Sequence, residues 1–197
     1  MSGKIFNGAI IVVAMRWTDR LVGLVSTLVL ARLLVPDDFG VIAMASVYAG
    51  LIDVFLDLGV VTALIHKGQC DDDDYSTAWT IRMLQAAIAA LIICATAPLV
   101  ADYYKDPRVV GVLYLMAATI IIGGLENIGI VAFQKDMQFG RDFQFFFLRR
   151  IIGFFVTLAL AWHLQSYWAL PIGALVGRVA GVGLSYMMHP LRPRLTL

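Results

Sequence analysis

Long apolar segments that contain charged residues are the feature that most constrains this chain. Charged side chains stand inside the first segment at Arg16, Asp19 and Arg20, and inside the last at Arg178. Hydrophobic residues make up 60% of the 197 residues and charged residues only 15%, a balance unlike that of soluble domains. A charge at bilayer depth costs roughly 2.5 to 3.5 kcal/mol, so such residues face a protein interior or an aqueous cavity. The sequence therefore predicts a membrane protein with a polar interior.

Six transmembrane helices are predicted, because a hydrocarbon core about 30 Å thick needs about 20 apolar residues per helix. Proline, glutamine and acidic residues mark the breaks between the apolar segments. We expect an all-α, polytopic fold in which residues 1–189 form one bundle and residues 190–197 begin a cytoplasmic linker. The predicted spans are residues 8–34, 39–65, 77–100, 109–133, 143–164 and 167–188.

The orientation is predicted from the lysines and arginines near the span ends, which are more frequent on the cytoplasmic side. A cytoplasmic N-terminus places six of these basic residues inside and three outside, so both termini are expected inside. The inner set is Lys4, Lys67, Lys135, Arg141, Arg192 and Arg194, and the outer set is Arg32, Lys105 and Arg108.

Polar residues on the first helix recur at three- and four-residue steps, which places them on one face. They are Arg16, Asp19, Arg20, Gly23 and Thr27. Asp19 can neutralise one neighbouring arginine, which leaves positive charge suited to an anion such as a phosphate. The alternatives are a structural ion-pair cluster, or arginines whose long stems reach the headgroups.

Carboxylates inside the spans have two interpretations. Asp53 and Asp57 share a stripe of the second helix with Ser46 and Gly50. They pair with arginines of neighbouring helices or serve as proton or sodium sites, and pairing is favoured because intramembrane charges generally pair. Glu126, among glycines in the fourth helix, is a further candidate for ion coupling.

Arginines in the last two spans receive different interpretations. Arg178 adjoins a ladder of small residues and lies deep enough to need a partner or a ligand. Arg149 and Arg150 follow an aromatic run and are interpreted as anchors at the cytoplasmic end. The spans contain more arginines than carboxylates, which predicts a cationic interior. The ladder consists of Gly173, Gly177, Gly181 and Ser185, and is interpreted as a packing surface.

Catalytic, metal and cofactor motifs are not found in the sequence. Cys70 and Cys94 are not expected to meet, and neither has the spacing of a zinc site. No nucleophile elbow, metal-binding helix motif or phosphate loop is present, so we expect no enzyme, no cofactor and no metal. No basic block is long enough to bind nucleic acid.

Several local motifs resemble those of a known family. The segment LARLLVPDDFG at positions 30–40 resembles the first-loop signature of Wzx-type oligosaccharide flippases, a branch of the multidrug/oligosaccharidyl-lipid/polysaccharide exporter superfamily. Further similar segments cover nearly the whole chain. They are DLG at 57–59 with ALI at 63–65, APLVA at 97–101 with Tyr103 and Tyr104, QKDMQF at 134–139 and YWAL at 167–170.

This resemblance implies translocation of undecaprenyl-diphosphate-linked oligosaccharides across the bacterial inner membrane for polysaccharide or lipopolysaccharide biosynthesis. Two helix bundles of such proteins rock about a cationic cavity. Arg16, Arg20 and Arg178 would hold the diphosphate, and Asp53, Asp57 or Glu126 would couple transport to an ion gradient. Family members have twelve or more helices, so this chain is expected to be an N-terminal lobe that combines with a second lobe or with another copy.

Three other functions compete with this interpretation. A drug or lipid exporter would need an apolar, aromatic-lined cavity, whereas the residues favour an arginine-lined one. A noncatalytic partner of a polysaccharide-assembly complex fits a half-length protein with a glycine ladder. An enzyme acting on polyprenyl phosphates is disfavoured because catalytic groups are missing from the sequence.

Overall fold

The computed structural model describes residues 2–67 and 70–195. In the first helix the described side chains are those of residues 13, 17 and 18 and of residues 20 onward. Throughout this part of the chain the secondary structure is helical, which confirms the all-α prediction. The helices are α1 (Ser2–Leu33), α2 (Pro36–Leu56), α3 (Val60–His66), α4 (Asp72–Tyr104), α5 (Arg108–Gly124), α6 (Val131–Lys135), α7 (Phe139–Leu164) and α8 (Ala169–Met188).

Helices long and apolar enough to cross a bilayer account for most of the described chain. α2, α4, α7 and α8 each meet this criterion. α5 and the helical segment that follows it meet it together, although they are bent by 67° at a short break. The chain is therefore a multi-pass membrane protein, as the sequence predicted.

Two of the predicted spans are broken rather than continuous. The span predicted at 39–65 ends its first helix at Leu56, because the Asp57 carboxylate accepts a hydrogen bond from the Gly59 N–H (2.9 Å) and Gly59 has a φ of +64°. That left-handed conformation favours glycine. The span predicted at 109–133 breaks after Gly124, and a 3₁₀ turn, Ile128–Ile130, precedes α6.

Small side chains let the helices approach closely. α2, α4 and α5 enclose one core, in which alanines alternate with branched residues, and α7 packs along α8. α1 packs against α7. The residues of the first core that are fully or almost fully buried include Val41, Ala45, Ala90, Ile93, Ala97, Val109, Val112 and Leu113.

Polar contacts tie the loops together at two opposite ends of the bundle. At one end Arg108 pairs with Asp37 and Asp106, both at 2.7 Å, and joins the first turn of α2 to the loop before α5. At the other end Lys67 pairs with Asp74 (2.7 Å) beside the start of α4. Asp74 also accepts the Asp71 N–H (3.2 Å), so this acidic stretch caps the start of α4.

Candidate functional site

A cleft of about 1200 Å³ is lined by residues of α1, α2, α5, α7 and α8. Its α1 wall consists of residues spaced four apart, as expected for one helical face. Those α1 residues are Thr18, Val22, Ser26 and Leu30. The cleft is thus enclosed by several helices, and it contains both polar and aromatic side chains.

Three arginines line this cleft: Arg149 and Arg150 of α7, and Arg178 of α8. Arg82 of α4, Arg150 and Arg178 all lie within electrostatic range of the Arg149 guanidinium. Guanidinium groups present forked N–H donors that match the oxygens of phosphates and carboxylates. The wall formed by α7 and α8 is therefore suited to binding an anion.

Glu126 contacts two members of this group, which we call the arginine cluster (Arg82, Arg149, Arg150 and Arg178). Its Oε2 accepts hydrogen bonds from Arg149 Nη1 (3.1 Å) and Arg178 Nη1 (3.4 Å). The side chain is only 8% exposed. One buried carboxylate thus accepts hydrogen bonds from two arginines on two helices.

The break between α5 and α6 holds Glu126 in place. The neighbouring Asn127 is completely buried; its backbone N–H donates to Ser185 Oγ (3.0 Å), and its side-chain amide donates to the Leu191 carbonyl (2.8 Å). Asn127 Oδ1 accepts the Gly129 N–H (2.9 Å). Backbone groups freed by the break are thereby satisfied inside the protein, as a membrane interior demands.

Three glycines make room for the cleft arginines. A Cβ at Gly181 would collide with Arg149 Cδ, and one at Gly123 would lie 3.2 Å from Arg178 Cζ. A Cβ at Gly23 of α1 would lie 3.3 Å from Arg150 Nη2. Gly181 belongs to the ladder that was interpreted as a packing surface, and the structure shows that it accommodates a charged side chain as well.

Aromatic rings continue the α7 wall beyond the arginines. The Arg149 guanidinium lies over the Phe145 and Phe146 rings, 5.6 and 5.2 Å from their centroids, which adds cation–π attraction. Phe143 and Phe147 stack with centroids 5.5 Å apart, and both line the cleft. An anion bound at the arginines would therefore have aromatic surface beside it.

The structure brings some of the predicted site residues together. Arg178 and Glu126, assigned from the sequence to different roles, are partners in the arginine cluster. Asp53 lines the cleft with Ser46 and Gly50, and makes no ion pair with another described residue. Asp57 lies beyond the end of α2, where its carboxylate caps the turn at Gly59.

The charged stripe predicted on α1 is described only in part. The side chains of Arg16 and Asp19 are outside the described residues, so their assignment stays a prediction. Arg20 is exposed and is not among the residues that line the cleft. Among the described side chains of α1, those that line the cleft are the uncharged Thr18, Val22, Ser26 and Leu30.

Sequence reasoning missed Arg149 and Arg150 as cleft residues, because basic residues after an aromatic run are typical of interfacial anchors. Two features of the sequence could have indicated that an arginine lies inside the protein. An isolated carboxylate, Glu126, and a small-residue ladder on the facing helix together provide both a partner and a path for an arginine. Within the part of the chain that the structure describes, no group of His, Cys, Asp or Glu side chains could hold a metal ion.

His189 closes the end of α8 beside the break. Its Nδ1 accepts the Leu191 N–H (3.2 Å), and its ring packs on Phe133 with centroids 5.5 Å apart. Burial lowers the pKa of His189, an effect that Asp136 partly opposes. The neutral ring is therefore the form that suits the folded structure.

Comparison with known proteins defines the class to which this fold and cleft belong. Residues 29–197 match the model of a family described as polysaccharide biosynthesis protein. The match covers most of the chain, so the chain belongs to this family. The resemblance to Wzx-type polysaccharide exporters is thereby confirmed.

One curated relative is the lipopolysaccharide biosynthesis protein WzxC of Escherichia coli (strain K12). The two are 19% identical over 155 residues, which cover 79% of this chain and 31% of WzxC. The chain thus spans about a third of the length of this relative. No solved structure shows significant similarity to the chain.

Proposed function

We infer that this chain takes part in moving undecaprenyl-diphosphate-linked oligosaccharides across the bacterial inner membrane, as a transporter rather than an enzyme. The observation that carries the proposal is the arginine cluster on the wall of the large cleft. Arg149 and Arg178 come from adjacent helices and meet at one point, so an anion placed there receives donors from both. Family membership supports a role in polysaccharide synthesis.

The side chains of the cleft suit the diphosphate of such a substrate and the sugar attached to it. The diphosphate binds at the arginines, where charge-assisted hydrogen bonds are strong because little water competes. The neighbouring rings of Phe143 and Phe147 offer apolar surface, while Thr18, Ser26 and Ser46 of α1 and α2 offer hydroxyl groups. On entering the cleft, the substrate exchanges its contacts with water for contacts with these side chains.

Alternating access would follow from the architecture. Residues 1–189 form one lobe with six crossings, both termini in the cytoplasm, and residues 190–197 lead toward a second lobe or another copy that completes the cavity. Contacts at one end of the bundle support this crossing pattern. Arg194 donates its N–H to Ser76 near the start of α4, where Lys67 also pairs with Asp74, so the segment after α8 and the loop before α4 lie at the same end.

The test is binding of an undecaprenyl-diphosphate-linked sugar to the purified chain in lipid nanodiscs, measured by calorimetry. Arg178→Gln should weaken binding about tenfold or more, because a charged hydrogen bond to the diphosphate is lost. Arg32→Gln, at the exposed end of α1, is the matched control and should leave binding unchanged.

A third variant compares the two candidate sets of arginines. Arg20→Gln should have little effect if the cleft wall of α7 and α8 holds the diphosphate, and should weaken binding strongly if α1 holds it. Absence of binding by the unsubstituted chain would contradict the proposal and favour a noncatalytic role in polysaccharide assembly.

A further inference from the structure

Glu126 occupies the position at the arginine cluster that a bound anion would need. Its Oε2 is the acceptor for both Arg149 Nη1 (3.1 Å) and Arg178 Nη1 (3.4 Å). Each arginine uses a single nitrogen in this contact. The two ion pairs therefore lack the forked, two-bond geometry that makes arginine–carboxylate pairs strong.

We propose that Glu126 is an internal counterion that a phosphate of the ligand displaces, and that its carboxylate takes up one proton when this happens. The inference rests on the proposed function, because it presumes an anionic ligand at the cluster. It assigns Glu126 a role in binding that is distinct from holding the helices together.

The physical reason is the position of the carboxylate. A buried ion pair that loses one partner leaves an uncompensated charge, which is strongly unfavourable in a low-dielectric interior. Glu126 is 8% exposed, so it has little water to replace the lost arginines. Taking up a proton removes that charge: an O–H bond forms at a carboxylate oxygen, and the proton comes from the aqueous solution.

The charges around Glu126 favour this exchange. Arg149 of α7 and Arg178 of α8 share the Glu126 carboxylate, and Arg82 of α4 lies within electrostatic range of Arg149. His189 is a titratable group beyond Asn127 at the end of α8. Two guanidinium groups contact one carboxylate, so a ligand with two phosphate charges neutralises the two arginines better than Glu126 does.

The competing role for Glu126 is to orient the arginines while they bind the ligand through their remaining N–H donors. The two roles predict opposite effects of Glu126→Gln. Glutamine keeps a carbonyl acceptor of the same length but has no charge and no titrating oxygen. It removes a competitor in the first case and weakens an orienting contact in the second.

The experiment is calorimetric titration of the chain in nanodiscs with an undecaprenyl-diphosphate-linked sugar, whose two phosphates carry no titrating proton near neutral pH. Repeating the titration in buffers of different ionisation enthalpy gives the number of protons taken up on binding. Asp106→Asn is the matched control, because Asp106 is also paired with an arginine but lies at an end of the bundle, outside the cleft.

The proposal predicts uptake of about one proton by the unsubstituted chain and by Asp106→Asn, and none by Glu126→Gln. Glu126→Gln should also bind on the order of tenfold more tightly. Weaker binding by Glu126→Gln, or unchanged proton uptake, would overturn the exchange while leaving the diphosphate site intact. Absence of binding in every variant would overturn the proposed function as well.

If Glu126→Gln does not fold, proton uptake by the unsubstituted chain still tests the proposal. Proton uptake near zero would show that Glu126 keeps its charge in the complex and would overturn the proposal. Uptake near one, unchanged when His189 is replaced by Gln, would support a carboxylate as the proton acceptor.

Discussion

At Gly181 the absence of a side chain lets the stem of Arg149 cross α8 on its way to Glu126. A Cβ there would lie far inside contact distance of Arg149 Cδ. The residue thus determines whether a charged side chain can enter the protein interior. The position of Arg149 in the site therefore depends on the absence of a Cβ at Gly181 as well as on its ion pair with Glu126.

Gly181→Ala should therefore destabilise the protein by about 1–3 kcal/mol, the usual effect of overpacking, because Arg149 must leave its position. Thermal unfolding in detergent measures this change. Gly183→Ala, two residues away where a Cβ would meet open space, is the control and should be neutral or slightly stabilising. Equal effects at both positions would show that Arg149 is not constrained by Gly181.

His189 should make stability depend on pH. Because burial lowers its pKa, the unfolded chain binds a proton more readily than the folded one. Stability from this group is fully present above its ordinary pKa of about 6.5, and is lost as pH falls below that value. Unfolding measured from about pH 7.5 to about pH 5 should show this loss.

The control for this pH dependence is a second histidine. His189→Gln should flatten the loss between about pH 7 and about pH 5. His66→Gln, at an exposed position at the end of α3, should retain it. A wild-type slope in the His189 variant would assign the effect to other groups.

At the scale of helices, the breaks after α2 and after α5 distinguish this fold from a set of continuous spans. Both follow apolar sequence that would otherwise extend a helix. Gly59 permits the first break through its positive φ, and Asn127 stabilises the second by bonding to the chain that follows α8. Each break places a carboxylate, Asp57 or Glu126, outside regular helix.

Gly59→Ala should destabilise the protein by about 1 kcal/mol, since a left-handed conformation is unfavourable for alanine. Gly50→Ala, inside α2 where a Cβ would have no atom within 4 Å, is the control and should stabilise by about 0.5–1 kcal/mol. Denaturation of the two variants in the same detergent tests the pair. Destabilisation of similar size at both would argue against the break at Gly59.

Asn127→Ala should release the segment that follows α8. Its buried amide bonds to the Leu191 carbonyl and to the Gly129 N–H, so its loss should lower stability by about 1–3 kcal/mol. Hydrogen exchange should increase first at residues 189–194. Unchanged exchange there would show that the break and the tail are independent.

Sequence patterns predicted the class of fold because apolar length and polar breaks follow directly from bilayer thickness. They placed Arg178 and Glu126 inside the protein for the same reason. They could not show that these two residues meet, since the pair depends on how α5 and α8 cross. The spacing of charges on α1 did not identify Thr18 and Val22 as cleft residues, because neither carries a charge.

At the scale of the whole molecule, residues of α1, α2, α5, α7 and α8 line the cleft, and polar contacts lie at two ends of the bundle. Arg108 pairs with Asp37 and Asp106 and joins the start of α2 to the loop before α5, and hydrogen bonding of that arginine lowers the pKa of Asp106. A chain that spans about a third of its relative WzxC thus still contains a cationic wall. If the proposed transport function holds, a second lobe or a second copy would supply the remaining wall of the cavity.

The most direct test of the central claim is photocrosslinking with an undecaprenyl-diphosphate-linked sugar that carries a diazirine beside the diphosphate. Mass spectrometry of the labelled chain locates the adducts. The arginine cluster predicts adducts in α7 near Arg149 and Arg150 and in α8 near Arg178, suppressed by excess unlabelled ligand. Adducts confined to α1 around Arg20, or spread evenly over lipid-facing helices, would contradict the assignment of the cleft as the diphosphate site.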